Sequence, residues 1–192
     1  PIIGRTDLGL LYPLLVIPIG IIGASQGYNM LAGMNGLTVG NAIIIITTIS
    51  YMAWRIQNFW VTIIGLIMVA SLLGFLIYNK YPAKVFEGDI LLYSIGAFIA
   101  SLVILGNTEK IGLILFIPYF IELIIKTKNK FKSECFLEPN QDNTLKYPEK
   151  IGSLTHIIAR ILHRLKGKIY EKDIVYSIWS LELILAIISI SL

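Results

Sequence analysis

Six long apolar runs constrain this chain more than any other feature of its sequence. They cover residues 8–24, 37–54, 59–78, 89–105, 111–125 and 174–192. A bilayer core about 30 Å thick needs about 20 residues of apolar helix, with a range of roughly 17 to 25. With 56% hydrophobic residues, 15% charged residues and a mean hydropathy of +0.76, the chain is too apolar for a soluble domain. We therefore predict an all-α, polytopic transmembrane helix bundle with about six membrane helices. The fifth run is short, and Pro118 within it predicts a kink.

The basic residues between these runs predict the orientation of the bundle. If the turn at residues 26–36 is cytoplasmic, that side carries 13 of the Lys and Arg residues and the other side carries 3. The cytoplasmic set is Lys80, Lys84, Lys126, Lys128, Lys130, Lys132, Lys146, Lys150, Arg160, Arg164, Lys166, Lys168 and Lys172. Basic residues near helix ends stay on the cytoplasmic side, so the imbalance decides the topology. The net charge of +4 then reflects membrane orientation and contact with anionic lipids, and requires no nucleic-acid partner.

One long polar segment, residues 127–172, interrupts the membrane pattern before the last helix. From Ser153 onward the apolar residues follow helical spacing, which predicts an amphipathic helix along the membrane interface. Such a helix has either a solvated basic face alone or a substrate contact through His156 or Arg160. We treat residues 1–192 as a single membrane domain that contains this cytoplasmic loop.

Two polar interruptions carry the chemistry of the chain. They are residues 26–40, which contain Asn29 and Asn35, and residues 81–89, which contain Phe86 and Asp89. A carboxylate, amide oxygens and a flat ring suit Mg²⁺ and a phosphate-bearing ligand, and we expect the two interruptions to meet in one site. Polar and small residues also pack membrane helices together, so helix packing is the alternative.

Several common functional motifs are absent from the sequence. The only cysteine, Cys135, allows no internal disulfide, and neither CxxC nor HExxH occurs. The sequence also has no GxxxxGK or GxGxxG phosphate loop. We find no signal peptide pattern at the start.

Both interruptions resemble the paired signatures of the polyprenyl-phosphate N-acetylhexosamine-1-phosphate transferases, a branch of glycosyltransferase family 4. The matching stretches are Asn29-Met-Leu-Ala-Gly-Met-Asn-Gly-Leu37 and Tyr81-Pro-Ala-Lys-Val-Phe-Glu-Gly-Asp89, with Asp7-Leu-Gly-Leu-Leu-Tyr12 as a lead-in. Within that family the chain is most similar to the dolichyl-phosphate UDP-N-acetylglucosamine phosphotransferases and their archaeal counterparts. The resemblance implies a ten-helix, Mg²⁺-dependent enzyme. Such an enzyme transfers N-acetylhexosamine 1-phosphate from a UDP-sugar to a membrane polyprenyl or dolichyl phosphate and releases UMP.

The resemblance also implies roles for individual residues. Asn29 and Asp89 fall where the family holds Mg²⁺, and Gly33, Asn35 and Phe86 fall where it binds uracil. The family's earlier Asp-Asp-x-x-Asp arrangement has no counterpart here, which leads us to expect the C-terminal portion of the enzyme. Eukaryotic relatives carry an Arg-His-Arg cluster after a loop cysteine, but Phe-Leu-Glu follows Cys135. Binding of the pyrophosphate is therefore open among Lys128, Lys130, Lys132, His156 and Arg160.

Two other functions remain as alternatives: a non-enzymatic membrane protein such as a transporter, and an inactive fragment of the transferase. The count of Lys and Arg residues places the site on the cytoplasmic face. The resemblance implies the cell membrane of a prokaryote, above all an archaeon, or the endoplasmic reticulum of a eukaryote, and a homodimer is left open. Two acids lie within predicted membrane helices. Glu122 has Lys126 four residues later as a helical partner, whereas the sequence offers no partner for Glu182.

Overall fold

The structure is a computed structural model that describes residues 9–191, so Asp7 and Leu8 lie outside the described residues. A π-helical turn, Tyr12–Val16, leads into eight α-helices. These are α1 (Ile17–Met30), α2 (Leu37–Arg55), α3 (Phe59–Asn79), α4 (Gly88–Leu105), α5 (Glu109–Leu115), α6 (Ile117–Lys128), α7 (Leu154–Lys166) and α8 (Glu171–Ser191). The one β-bridge in the described residues pairs Pro139 with Leu145. The all-α prediction is confirmed.

Four helices are long and apolar enough to cross a membrane, namely α2, α3, α4 and α8. Each matches a predicted run within three residues at either end. The described part of the first run forms the π-helical turn and α1, which continues to Met30. The fifth run divides at Phe116 into α5 and α6. The predicted total of six membrane helices is therefore not confirmed, although the fold class is.

Pro118 explains where the fifth run divides. It lies in the first turn of α6, where its missing N–H would have no partner within the helix in any case. Continuing α5 through this point would remove a backbone hydrogen bond and bring the proline ring against the preceding turn. The predicted kink is thus present as a break between two short helices.

Helix α2 lies at the centre of the bundle, where it packs against α3 and α8. Most of its residues are buried, whereas α3 exposes large apolar side chains such as Ile63, Ile67 and Ile77. Exposed apolar side chains are unfavourable in water and suit the hydrocarbon core of a bilayer. The surface of the bundle therefore agrees with a multi-pass membrane protein.

Helices α1 and α4 pack closely together in antiparallel directions. The Ser25 hydroxyl donates to the Tyr93 carbonyl over 3.2 Å, and the Tyr12 hydroxyl donates to Glu109 just beyond the other end of α4. A side chain at Gly96 would place a Cβ 2.6 Å from the Ser25 Cα, so the close approach requires glycine there. This packing fixes which residues of α1 and α4 share an end of the bundle.

Candidate active site

The two polar interruptions meet at one end of the bundle, as the sequence predicts. The Thr38 hydroxyl donates to one carboxylate oxygen of Glu87 over 2.8 Å, and the Asn79 amide donates to the other over 2.7 Å. Asn79 also donates to the Val85 carbonyl over 3.0 Å. Glu87 therefore connects the start of α2 and the end of α3 to the second interruption. The sequence analysis did not identify this role, because its partners lie in other segments.

Asn29 and Asp89 occupy the same end of the antiparallel α1 and α4 pair. Asn29 is one turn beyond Ser25 and is half-buried, while Asp89 is one turn before Tyr93 and is exposed. Neither side chain makes a hydrogen bond or ion pair within the described residues. The structure thus leaves an amide oxygen and a carboxylate free to bind a ligand.

The chemistry of these two groups fits Mg²⁺ in part. Residues 9–191 contain no group of three or more His, Cys, Asp or Glu residues placed to hold a metal ion. Mg²⁺ commonly takes only one or two protein carboxylates and completes its octahedron with waters and substrate phosphates. Asn29 and Asp89 could therefore supply part of a site that the substrate completes.

The predicted uracil residues lie in the two loops at this end. Gly33 is exposed with φ of +125°, a conformation that few residues other than glycine adopt. The Asn35 backbone N–H donates to Glu171 Oε1 over 2.6 Å, so the first residue of α8 holds this loop. The Phe86 ring is 72% exposed and is free to stack on a ligand. Binding of uracil by these residues stays a prediction.

Buried Glu122 attaches the polar segment between α6 and α8 to the helix bundle. Its carboxylate accepts hydrogen bonds from the Ser153 hydroxyl at 2.9 Å and the Leu154 N–H at 2.7 Å, at the start of α7. A carboxylate is favourable at a helix N-terminus, where the N–H groups lack intrahelical partners. Lys126 Nζ lies 3.8 Å from Glu122 and also donates to the Ser133 carbonyl. The predicted pairing of Glu122 with Lys126 is confirmed.

The predicted amphipathic helix is present as α7. Two of its basic residues, His156 and Arg160, contact the loop that precedes the helix. His156 Nδ1 accepts from the Gly152 N–H at 3.0 Å. Arg160 donates to the carbonyls of Pro148 and Glu149, and its guanidinium lies 5.5 Å from the centre of the Tyr147 ring. These contacts give both residues a structural role, and pyrophosphate binding by His156 or Arg160 stays a prediction.

An apolar groove of about 410 Å³ extends along α1. It is bounded by α1, α4, α5 and α6, and it runs from Tyr12 to Gly27, two residues before Asn29. Its walls include Val16, Gly23, Ile99, Val103, Leu113 and Phe120. Such a surface suits a hydrocarbon chain that ends near the polar site.

Glu182 lies in the interior, away from this loop network. It is fully buried in α8, and neither carboxylate oxygen has a hydrogen-bond partner within the described residues. One turn earlier, the Trp179 ring N–H donates to the Leu37 carbonyl over 3.0 Å. The structure, like the sequence, supplies no partner for Glu182 in the part of the chain that it describes.

The fold and the site define a multi-pass helical membrane protein with a polar site at one end of the bundle. The sequence profile of glycosyl transferase family 4 matches residues 1–107, and the chain belongs to this family. This membership favours the transferase interpretation over the transporter alternative.

Two archaeal relatives align with nearly the whole chain and carry more specific names than the family does. Proteins from Sulfolobus acidocaldarius and Saccharolobus solfataricus are 35% and 36% identical to the chain and align over 99% and 100% of it. Both carry the provisional name UDP-N-acetylglucosamine–dolichyl-phosphate N-acetylglucosaminephosphotransferase. A phospho-N-acetylmuramoyl-pentapeptide-transferase from Bacillus licheniformis is 35% identical over 62% of the chain and 36% of its own length. The chain spans 57% and 59% of the length of the two archaeal relatives.

Proposed function

We propose that this protein contributes the donor site and the lipid groove of a membrane phosphotransferase. The reaction moves N-acetylglucosamine 1-phosphate from UDP-N-acetylglucosamine to a polyprenyl or dolichyl phosphate and releases UMP. The names of the two archaeal relatives support this choice of substrates. The reaction would begin the assembly of a lipid-linked glycan at the cytoplasmic face of the membrane.

One observation carries the proposal: the two interruptions share a single polar end, beside which an apolar groove begins. Glu87 joins the two interruptions, and Asn29 and Asp89 are free of other partners among the described residues. The groove reaches Gly27, close to Asn29 in α1. A phosphotransferase with one soluble and one lipid substrate needs this combination, because reacting groups must be held close together and aligned.

Asn29 and Asp89 are the residues that would hold Mg²⁺. When bound, Mg²⁺ would neutralise the pyrophosphate of the donor and stabilise charge as the phosphoryl bond changes partners. The protein residues then orient the substrates: Gly33 and Asn35 with the loop that Glu171 fixes, and Phe86 with its exposed ring. Most of the expected rate enhancement in such a site comes from positioning and electrostatics.

The groove beside α1 is the proposed site for the polyprenyl chain. Its walls are apolar, so a lipid would enter it from the bilayer without crossing water. Each buried methylene group contributes about 0.8 kcal/mol, so a long isoprenoid chain gains affinity from such a surface. The lipid phosphate would then lie at the polar end, near Asn29.

The basic cytoplasmic loop gives a further reason to place the reaction on that face. Both substrates and the product UMP are anionic, and basic residues near the membrane surface attract anions. His156 and Arg160 stay candidates for pyrophosphate binding, although His156 accepts from the Gly152 N–H and Arg160 donates to the Pro148 carbonyl.

The test is reconstitution of the full-length gene product with UDP-N-acetylglucosamine, polyprenyl phosphate and Mg²⁺. We expect equal amounts of UMP and lipid-linked sugar phosphate, and loss of both products when EDTA removes the cation. Glu149→Gln, at an exposed acid of the cytoplasmic loop, is the control and should react normally. Absence of both products from correctly folded protein would contradict the proposed function.

A further inference from the structure

Phe136, in the cytoplasmic loop, lies directly over Gly33 in the first interruption. A Cβ built on Gly33 would approach the Phe136 ring carbons Cδ1 and Cε1 to 2.6 and 2.8 Å. A Cβ atom in a protein essentially never lies within 3.0 Å of such a neighbour. The Phe136 ring therefore occupies the space that a side chain at residue 33 would need. The contact joins the cytoplasmic loop to the loop that holds the proposed donor.

Polar contacts on both sides fix the backbone that carries this ring. Cys135 Sγ donates to the Met30 carbonyl over 2.9 Å, and the Thr155 hydroxyl donates to the Cys135 carbonyl over 2.6 Å. Burial, with a smaller effect of the nearby Glu122 carboxylate, raises the pKa of the Cys135 thiol to about 11. The thiol is therefore protonated at neutral pH and able to donate.

His156 holds the next carbonyl along the chain. Its Nε2 lies 3.3 Å from the Phe136 carbonyl oxygen, and its Nδ1 accepts from the Gly152 N–H. Because Nδ1 accepts a hydrogen bond, the proton of the neutral ring lies on Nε2, which can then donate to Phe136. The ring is thus attached to a backbone that is bound before and after it.

Despite this fixed backbone, 54% of Phe136 is exposed, in a loop outside the membrane helices. Its neighbour Leu137, by contrast, packs partly against the apolar core. An exposed ring gains little from the hydrophobic effect in the unliganded protein. A ring that is held in position and still exposed is, however, well suited to a flat ligand, because little ordering cost is left for binding.

We propose that Phe136 is a further donor-binding residue, and that its ring packs against the nucleoside of the donor beside Gly33. This inference rests on the proposed function, because Gly33 belongs to the proposed uracil site. Binding of a base by an aromatic ring contributes about tenfold or more to affinity.

The test measures binding of UMP and of UDP-N-acetylglucosamine to the full-length gene product by calorimetry. Phe136→Leu keeps an apolar side chain but removes the aromatic face, while Phe136→Tyr keeps both. We expect Phe136→Leu to weaken both ligands about tenfold, to a similar extent, and Phe136→Tyr to bind nearly as the wild type does. Phe131→Leu is the matched control, because Phe131 lies in the same loop and is 57% exposed.

The outcomes separate this inference from the proposed function. If the wild type binds both ligands and Phe136→Leu binds them equally well, the inference is wrong and the proposed function stands. An equal loss in Phe131→Leu would show a general effect on the loop and also overturn the inference. Weaker binding of UDP-N-acetylglucosamine with unchanged binding of UMP would move the ring to the sugar and reject the nucleoside contact. A folded wild type that binds neither ligand would reject both proposals.

Discussion

The two ends of this helix bundle are built from different kinds of contact. At the end that carries the two interruptions, side chains connect segments that are distant in sequence. The main contacts are Thr38 with Glu87, Met30 with Cys135, and Asn35 with Glu171. At the opposite end, the turns from α2 to α3 and from α4 to α5 contain three residues each. Backbone bonds close them, such as that from Asn58 N to Ala53 O at 2.8 Å. The side chains there donate mainly to helix-end carbonyls, as Asn58 does to Leu105 over 3.2 Å and Arg55 does to Ile190 over 3.3 Å.

The difference separates the roles of the two ends. Short turns closed by their own backbone connect helices and leave few polar groups for a ligand. At the other end, the helix ends beside the interruptions carry polar groups free of other partners, as Asn29 in α1 and Asp89 in α4 are among the described residues. Substitutions at the end that carries the two interruptions should therefore alter binding and catalysis, whereas those at the opposite end should alter stability only slightly.

Asp89→Asn should give the largest effect on activity. An amide in place of the carboxylate removes a charge that Mg²⁺ prefers, so we expect UMP release to fall about hundredfold or more. The assay follows UMP from reconstituted full-length protein, with Glu149→Gln as the matched loss of an exposed carboxylate. Normal turnover by Asp89→Asn would remove this residue from the site.

Glu122→Ala should give the largest loss of stability. It leaves the Ser153 hydroxyl and Leu154 N–H without their buried acceptor, which we expect to lower the free energy of unfolding by about 3 kcal/mol. Thermal unfolding in detergent measures the loss, and faster proteolysis of the loop that follows α6 would locate it. Glu122→Gln retains an acceptor oxygen and should lose less. An unchanged unfolding temperature in Glu122→Ala would show that the loop is held elsewhere.

Phe86→Ala should weaken nucleotide binding about tenfold to hundredfold, because it removes the exposed ring expected to stack on uracil. Calorimetry with UMP measures the change. Phe59→Ala, an exposed ring at the opposite end of α3, is the control and should bind normally. If Phe86→Ala binds UMP as tightly as Phe59→Ala and the wild type do, Phe86 serves in packing or lipid contact instead.

Glu171→Ala should raise the KM for the UDP-sugar about fivefold while changing kcat less. The carboxylate accepts from the Asn35 N–H at 2.6 Å, and a hydrogen bond to a charged group contributes about 1.5–3 kcal/mol, part of which the loop recovers by bonding water. Glu171→Gln keeps the acceptor oxygen and should restore most of the affinity. A fall in kcat alone would place Glu171 in the chemical step instead of in the positioning of Asn35.

Tyr12→Phe should give the smallest effect. It removes the 3.2 Å hydrogen bond to Glu109 at the opposite end of the bundle, worth about 0.5–1.5 kcal/mol in stability. UMP release at saturating substrate should stay at the wild-type value. A strong loss of turnover would break the proposed separation between the two ends.

The sequence predicted the membrane helices better than the contacts between loops. Helix α2 begins at the predicted residue and ends one residue later than predicted, because an apolar run of this length has no other stable form in a bilayer. Helix α8 begins three residues earlier than predicted. Its first turn contains the charged residues Glu171 and Asp173, so the apolar run from which the helix was predicted begins only after them. The break at Phe116 follows from a local rule about Pro118, and the sequence indicated it.

The contacts that the sequence analysis missed are all between distant segments. Glu171 with Asn35, Glu87 with Thr38, and Phe136 with Gly33 have no periodicity or motif that pairs them. The one side-chain contact it predicted, Glu122 with Lys126 within α6, follows from the four-residue spacing of a helix. Local patterns therefore identified which segments form the site, whereas the side chains that hold them together depend on tertiary packing.

The central claim is that Asn29 and Asp89 are ligands of the same cation, and the most direct test measures whether each of them contributes to metal affinity. Mn²⁺ titration of full-length protein with UMP present, followed by electron paramagnetic resonance, reports the metal affinity without turnover. We predict that Asn29→Ala and Asp89→Asn each weaken Mn²⁺ binding at least about tenfold. The double variant should lose less than the sum of the two single losses in binding free energy, as expected for ligands of one ion. Wild-type Mn²⁺ affinity in both single variants would contradict a shared metal site at this end of the bundle.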